Sequence, residues 1–429
     1  MSFTRRILLA VVIVLPVAIT AVLLVPDRDG RVDADSFEAL ASAGTEEQLA
    51  RGEYLAIAGN CATCHTAEDG APMAGGLPFE TPFGRVYSTN ITPDADTGIG
   101  NWSAAEFADS MRRGVRPDGE HLYPVFPYNY FTRMSDDDLA ALYVYLQSVE
   151  PVRQENPANA LRFPFNLRVL LGAWKKLYLD AGPYEPDPAE SAEWNRGAYL
   201  VEAAAHCGAC HTPRNLLGGE KRRLAMTGGR YFDKVPGGAY RTWFAPNLTA
   251  ADTGLGIWPE EELVAYLKTG INNLVETFGP MNEVIVNSTM HLRDEDVAAM
   301  ATYLKSLPAN EPGEARPADD RVLGMGRTMY NLHCGTCHLP TGLGDEEMAP
   351  RLAAGSLVVR ARDPASLINV ILYGPELPDP PLPTGRLKPM EEFQYLLDDD
   401  EIAALASFVR HSWDNGAGRV TADQVAEQR

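Results

Sequence analysis

Six cysteines occur in this chain of 429 residues, and all six fall in one motif: Cys61-Ala-Thr-Cys64-His65, Cys207-Gly-Ala-Cys210-His211 and Cys334-Gly-Thr-Cys337-His338. Cys-x-x-Cys-His is the spacing of c-type haem attachment. Two thiols one short turn apart can each add to a vinyl group of the macrocycle, while the adjacent imidazole is aimed at the iron as proximal ligand. Other uses of the thiols fit less well. Zinc sites gather four ligands from paired motifs, and three identical motifs divide badly into such sets. A redox dithiol needs neither the following histidine nor three copies. The spacing predicts three covalently bound haem c groups, with His65, His211 and His338 as proximal ligands.

The sixth ligand decides between electron transfer and ligand binding, and a thioether opposite histidine raises the potential. Met390 lies twelve residues before Ile402 in a Pro-rich loop, and Met281, in Phe278-Gly-Pro-Met, lies sixteen before the equivalent Val297. Both are read as distal ligands, and Met290 and Met348 as packing residues. The first copy breaks the pattern: the position thirteen before Leu139 is Phe126, which cannot ligate iron. His121, eighteen before Leu139, is favoured as its distal ligand. The alternative, Met134, aligns with Leu292 and Leu397 and reads as a hydrophobic staple on its own helix. His206 and His333 near the cysteines read as exposed or hydrogen-bonded, and His291 and His411 as helix-end residues. Trp102 and Trp258 are candidates for hydrogen bonds to haem propionates, weighed equally against core packing.

The elements that must position these residues recur three times. Each copy opens with a short helical stretch, at Arg51-Gly-Glu-Tyr54, Arg196-Gly-Ala-Tyr199 or Gly326-Arg-Thr-Met-Tyr330. Each closes with an amphipathic helix that starts in acidic residues, beginning at Ser135, Asp294 or Asp399. In those helices Leu139, Val297 and Ile402 share a register, as do Leu142, Met300 and Leu405, then Tyr145, Tyr303 and Phe408; spacings of three and six keep them on one buried stripe. The acidic starts suit the helix dipole. A repeat this long is a domain rather than a solenoid unit. The expected organisation is mainly α, with three tandem class I cytochrome c domains at 46–150, 191–308 and 321–415 and a linker at 151–190. The first two copies also share a loop, Asn90-Ile-Thr-Pro-Asp-Ala-Asp-Thr-Gly-Ile-Gly-Asn-Trp102 against Asn247-Leu-Thr-Ala-Ala-Asp-Thr-Gly-Leu-Gly-Ile-Trp258. Within the linker, Leu161 to Lys176 is apolar with four basic residues, suited to a membrane surface, a partner subunit or packing between domains.

The formal net charge of −21 makes nucleic acid a poor partner, while docking to a basic protein patch stays open. At the N-terminus, Arg5 and Arg6 precede an apolar run from Ile7 to Val25. That run is long enough to cross most of a bilayer, with the arginines on the cytoplasmic side. Its end, Ala21-Val-Leu-Leu-Val-Pro26, offers no small-x-small cleavage site, so residues 1–26 are read as a retained transmembrane anchor rather than a cleaved signal. Either way the chain faces the periplasm, at the bacterial inner membrane.

Three Cys-x-x-Cys-His copies behind one anchor, with Asn-Ile-Thr-Pro-Asp-x-x-Thr-Gly-Ile-Gly-x-Trp and Tyr-Pro-x-x-Pro-Tyr in the first, resemble the trihaem cytochrome c subunits of membrane-bound bacterial dehydrogenases. That family includes the cytochrome subunits of alcohol, gluconate, sorbitol and aldehyde dehydrogenases. The resemblance implies a catalytic partner with a pyrroloquinoline quinone, flavin or molybdopterin cofactor, oxidising an alcohol, aldehyde, sugar acid or N-heterocycle. It also implies three haems that pass electrons to ubiquinone or a terminal oxidase. Carried across, His65, His211 and His338 are proximal and Met281 and Met390 distal. Many members have Met where this chain has Phe126, and the difference hints at the branch that serves molybdenum-dependent oxidoreductases. The expectation is an electron-transfer subunit with no catalytic site of its own. The rival is a haem enzyme such as a peroxidase, using an open first haem.

Overall fold

Glycines set how closely the opening and closing helices of each repeat approach. In the computed structural model, residues 30–234, 240–311, 313, 316–345, 348–353, 355–378, 382 and 390–429 are described. The run from Ile7 to Val25 lies outside them, and among the described residues no helix is long and apolar enough to cross a membrane. The chain forms two compact units. One comprises residues up to Leu55 with Cys64–Glu185, the other Ala56–Thr63 with Pro186–Arg429.

The first unit begins with α1 (Ala34–Ser42), capped by the Asp33 carboxylate. α2 (Glu46–Ala58) leads to α3 (Cys61–His65), which carries the first motif; Ala56–Thr63 of this stretch count with the second unit. A hairpin of β1 (Pro78–Thr81) and β2 (Gly84–Tyr87) follows. Then come α4 (Ala104–Arg113), α5 (Tyr128–Phe131) and α6 (Asp136–Ser148). β3 (Ala160–Leu161) adds to β2, and α7 (Val169–Tyr178) closes the unit. α2 crosses α6 at Gly52, where a Cβ would fall 2.0 Å from the Ala141 carbonyl oxygen and 2.7 Å from the Tyr145 Cβ. Arg51 is ion-paired with the buried Asp138 beside that crossing.

The second unit repeats the crossing twice. α8 (Ala192–Tyr199) continues through a π-turn at Leu200–Ala204 into α9 (Gly208–His211). Gly52 stands nine residues before Cys61 and Gly197 ten before Cys207, and the π-turn absorbs the extra residue. The hairpin of β4 (Gly229–Lys234) and β5 (Tyr240–Ala245) precedes α10 (Glu260–Thr269), α11 (Met281–Asn287) and α12 (Asp294–Ser306). The last stretch holds α13 (Asp320–His333), α14 (Ala365–Tyr373) and α15 (Asp399–His411). At Gly197 a Cβ would meet the Ala299 oxygen at 1.9 Å, and at Gly326 the Ala404 oxygen at 2.1 Å. Tyr303 and Phe408 take the place of Tyr145 in these two crossings. Leu139, Val297 and Ile402 are fully buried, as the shared register predicts.

The repeats expected at 191–308 and 321–415 belong to one compact unit because the β4–β5 hairpin packs on α14. Phe244 N donates to Ser366 Oγ at 2.8 Å, and Asn369 Nδ2 donates to the Thr242 carbonyl at 2.8 Å. Arg241 stacks on the Tyr373 ring at 3.4 Å and pairs with Glu376 at 3.0 Å. These are polar contacts shielded by apolar neighbours, the setting in which a hydrogen bond holds two segments in register.

Candidate haem-attachment sites

A single helical turn puts the first cysteine, the second and the histidine on one face. His65 ends α3, and the amides of His211 and His338 donate to the carbonyls of Cys207 and Cys334 at 3.1 and 2.9 Å. Residues at i, i+3 and i+4 of such a turn are neighbours. The residues just before the first cysteine, Asn60 and His206, take left-handed backbone (φ +51° and +40°), which turns the chain into the motif.

The three imidazoles are held alike. Nδ1 lies 2.6 Å from the Thr89 carbonyl for His65, 2.8 Å from that of Pro246 for His211 and 2.9 Å from that of Pro350 for His338. A carbonyl only accepts, so Nδ1 carries the proton and Nε2 keeps its lone pair, the tautomer and orientation of a metal-ligating histidine. Burial pushes all three below the usual histidine range, against the carbonyl bonds that raise them, and so favours the neutral, ligating form. Each histidine's own carbonyl accepts from a glycine amide, that of Gly75, Gly228 or Gly344, at 2.6, 2.8 and 3.1 Å.

Burial pushes the Cys61, Cys207 and Cys334 thiols up to about 12 and Cys210 to about 11. A dithiol redox centre works through a lowered thiol pKa. These thiols sit in the opposite environment, one suited to thioether sulfurs against an apolar macrocycle.

Sequence reasoning passed over the residues that supply the carbonyls. For Thr89 and Pro246 the signal was present in the loop shared by the first two copies. Asn90 Nδ2 donates to the Val152 carbonyl at 2.7 Å and its Oδ1 accepts from Thr92 N at 2.9 Å; Asn247 does the same with Asn310 at 3.0 Å and Thr249 at 2.9 Å. Each buried asparagine locks the loop just after the carbonyl that faces the histidine.

On the distal side, Met281 is the first residue of α11 and partly buried. Gly279 (φ +62°) lets the loop pass over Trp243, whose ring a Cβ there would meet at 3.0 Å. Trp243 Nε1 is buried without a hydrogen-bond partner among the described residues. An orphaned donor there fits an acidic group such as a haem propionate. Trp258, a candidate for that role, instead donates Nε1 to the Gly355 carbonyl at 2.8 Å. Met390 is partly buried against the third repeat's core. One strand of chain supports both methionines: the Glu376 carbonyl accepts from Gly279 N at 2.8 Å and Asn282 Nδ2 at 2.6 Å, and a Cβ on Gly374 would fall 2.8 Å from the Met390 oxygen. Met348, read as a packing residue, is 38% exposed.

The structure places His121 against α7. Lys175 Nζ lies 3.0 Å from its Nδ1, and a Cβ on Gly172 would fall 3.1 Å from its Nε2. Lys175 also donates to the carbonyls of Arg113 and Gly114 at 2.6 and 2.5 Å. An ammonium at Nδ1 leaves the ring proton on Nε2, the reverse of His65, His211 and His338. Met134 is 1% exposed, like Leu292, and Arg112 donates to its carbonyl at 2.9 Å, which matches a staple at the start of α6. Phe126 packs on Phe131 with ring centroids 5.4 Å apart.

Helical repeats that present Cys-x-x-Cys-His on one face, with Nδ1 of each histidine tied to a carbonyl, define a c-type cytochrome that binds haem c covalently. The cytochrome c family matches residues 49–150, 195–308 and 325–413, and the chain belongs to it. Over 391 residues it is 44% identical to a nicotinate dehydrogenase subunit of Pseudomonas putida, covering 89% of this chain but spanning only 32% of that relative. It is 39% identical to the cytochrome c subunit of alcohol dehydrogenase (quinone) of Gluconobacter oxydans, covering 92% of this chain and 85% of the relative. With the gluconate 2-dehydrogenase cytochrome c subunit of Pantoea cypripedii the identity is 38%, over 92% of each. The peroxidase reading finds no support among these relatives.

Proposed function

We propose that this chain is a three-haem electron-transfer subunit at the periplasmic face of the bacterial inner membrane. It takes electrons from a dehydrogenase catalytic subunit and passes them to ubiquinone or a terminal oxidase. The observation that carries the count of three is the recurrence of one proximal arrangement, Nδ1 on a carbonyl, at His65, His211 and His338. Each haem supplies one-electron chemistry at its iron, and the protein sets the potential through the axial ligands and their surroundings. Cys61, Cys64, Cys207, Cys210, Cys334 and Cys337 attach the three groups. Met281 and Met390 are the distal ligands of the second and third. The dehydrogenase partner follows from the relatives, two of which are named as cytochrome c subunits of alcohol and gluconate dehydrogenases. An alcohol, aldehyde, sugar acid or N-heterocycle is the class of substrate its partner oxidises, and the membrane anchor is the run from Ile7 to Val25.

The first haem is the distinct member. His121 ligates it only if Lys175 gives up Nδ1, and Met134 only if the start of α6 opens. A redox titration followed by EPR, on the wild type and on His121→Ala, tests both the relay and this site. The expected result is three separable one-electron centres with no high-spin haem that readily binds cyanide. Fewer than three centres overturns the count, and unchanged spectra in His121→Ala rule that histidine out and return Met134 to favour.

A further inference from the structure

α7 is apolar on two faces. Its inner face carries Trp174, edge-on to Tyr128 with ring centroids 6.4 Å apart, and Tyr178, 5.0 Å from Trp174. Lys175 points inward too and is held by carbonyls. Its outer face and the turn before it carry Phe163 (78% exposed), Val169 (77%), Leu170 and Leu177. A helix with apolar residues on two sides is ordinarily covered on both, and here one side is open. Residues 161–177 hold no acidic residue, in a chain of net charge −21. Of their four basic residues Lys175 is turned inward and Arg168 is paired with Glu120 at 3.3 Å, so Arg162 and Lys176 are the cations left to the outer side. Protruding aromatic and aliphatic side chains among cations are the composition of a helix that lies in an anionic membrane interface.

The start of the described chain indicates which surface this face meets. A Cβ built on Gly30 would lie 2.7 Å from the Ala181 Cβ, and Ala181 stands three residues beyond the end of α7. Val25, the end of the apolar run, is five residues before Gly30, a reach of at most about 18 Å. We propose that residues 161–177 dock on the anionic lipid surface beside the point where the run from Ile7 to Val25 enters the bilayer, with Phe163, Val169, Leu170 and Leu177 inserted at the interface. The proposal rests on reading that run as an anchor. Lipid is favoured over a protein partner because the segment lies next to the anchor and carries Arg162 and Lys176 with no acidic residue of its own.

The test uses the full-length holoprotein in nanodiscs of phosphatidylcholine and phosphatidylglycerol. Its native cysteines are engaged by haem, so single cysteines introduced as Phe163→Cys, Leu177→Cys, Ile13→Cys and Leu216→Cys can each carry a nitroxide. Leu216, 95% exposed, is the aqueous reference, and Ile13 reports the anchor. Collision of the labels with lipid-soluble oxygen and with water-soluble nickel-EDDA is compared. Labels at 163 and 177 should favour oxygen several-fold over the label at 216. If they behave like 216 while the label at 13 is lipid-embedded, the docking proposal falls and the anchor stands. An aqueous label at 13 overturns the anchor reading and the proposal with it. Protection from both reagents that appears only on adding the dehydrogenase subunit assigns the face to a protein partner and overturns lipid docking.

Discussion

The proton on Nδ1 decides what each motif histidine can do. Where a carbonyl holds it, at His65, His211 and His338, Nε2 keeps its lone pair, the form a metal-ligating histidine takes. Where Lys175 meets Nδ1, at His121, the tautomer is reversed. The methionines depend on a different support, the main chain at Gly374 to Glu376. Met281→Leu and Met390→Leu should each lower the potential of one haem and leave the other two in place, because a thioether opposite histidine raises the potential. Asn282→Ala removes a 2.6 Å donor to the Glu376 carbonyl but leaves the Gly279 amide. Its expected effect is a smaller shift of the same haem that responds to Met281→Leu. Redox titration of the three variants checks both outcomes, and a shift of a different haem in Asn282→Ala would refute the link.

Among elements, the helix crossings carry the sharpest constraint. α13 contains two glycines of opposite meaning: Gly326 faces the Ala404 oxygen at 2.1 Å, while a Cβ on Gly324 meets nothing within 4 Å. Gly326→Ala should destabilise by more than about 2 kcal/mol through overpacking. Gly324→Ala should stabilise by about 0.5–1 kcal/mol, since glycine is costly inside a helix. Denaturant unfolding of the two variants distinguishes packing from propensity. The clamp of α7 on the first unit gives a pH signature. Burial, and then the nearby Arg113 charge, hold the Lys175 ammonium down to about 7. Between about pH 7 and the ordinary lysine value near 10.4 the unfolded chain therefore binds more protons than the folded one. Stability then rises with pH across that window. In Lys175→Met the rise should vanish, and thermal melts across the same pH range measure it. The buried stripe of the closing helices was legible from residue spacing alone, since a helix repeats its faces locally. The joining of the last two repeats into one unit was not, because it rests on contacts such as Ser366 with Phe244, 122 residues apart.

For the molecule as a whole, charge governs encounter. A surface with net charge −21 is steered towards a basic patch, and such steering weakens as salt screens it. Reduction of the cytochrome by its dehydrogenase partner should slow as ionic strength rises, with the potentials unchanged; stopped-flow reduction across a salt series checks this, and a salt-independent rate would point to an apolar docking face. Local pattern was enough to mark the three Cys-x-x-Cys-His motifs, the three crossing helices and the departure at Phe126, because each is written in spacings of a few residues. Only the tertiary structure decided which carbonyls orient the histidines, since Thr89, Pro246 and Pro350 lie 24, 35 and 12 residues downstream. It also decided that Lys175, 54 residues beyond His121, occupies that ring. These partners meet where loops return from a distance, and a loop's path is set by the packing around it rather than by its own sequence period.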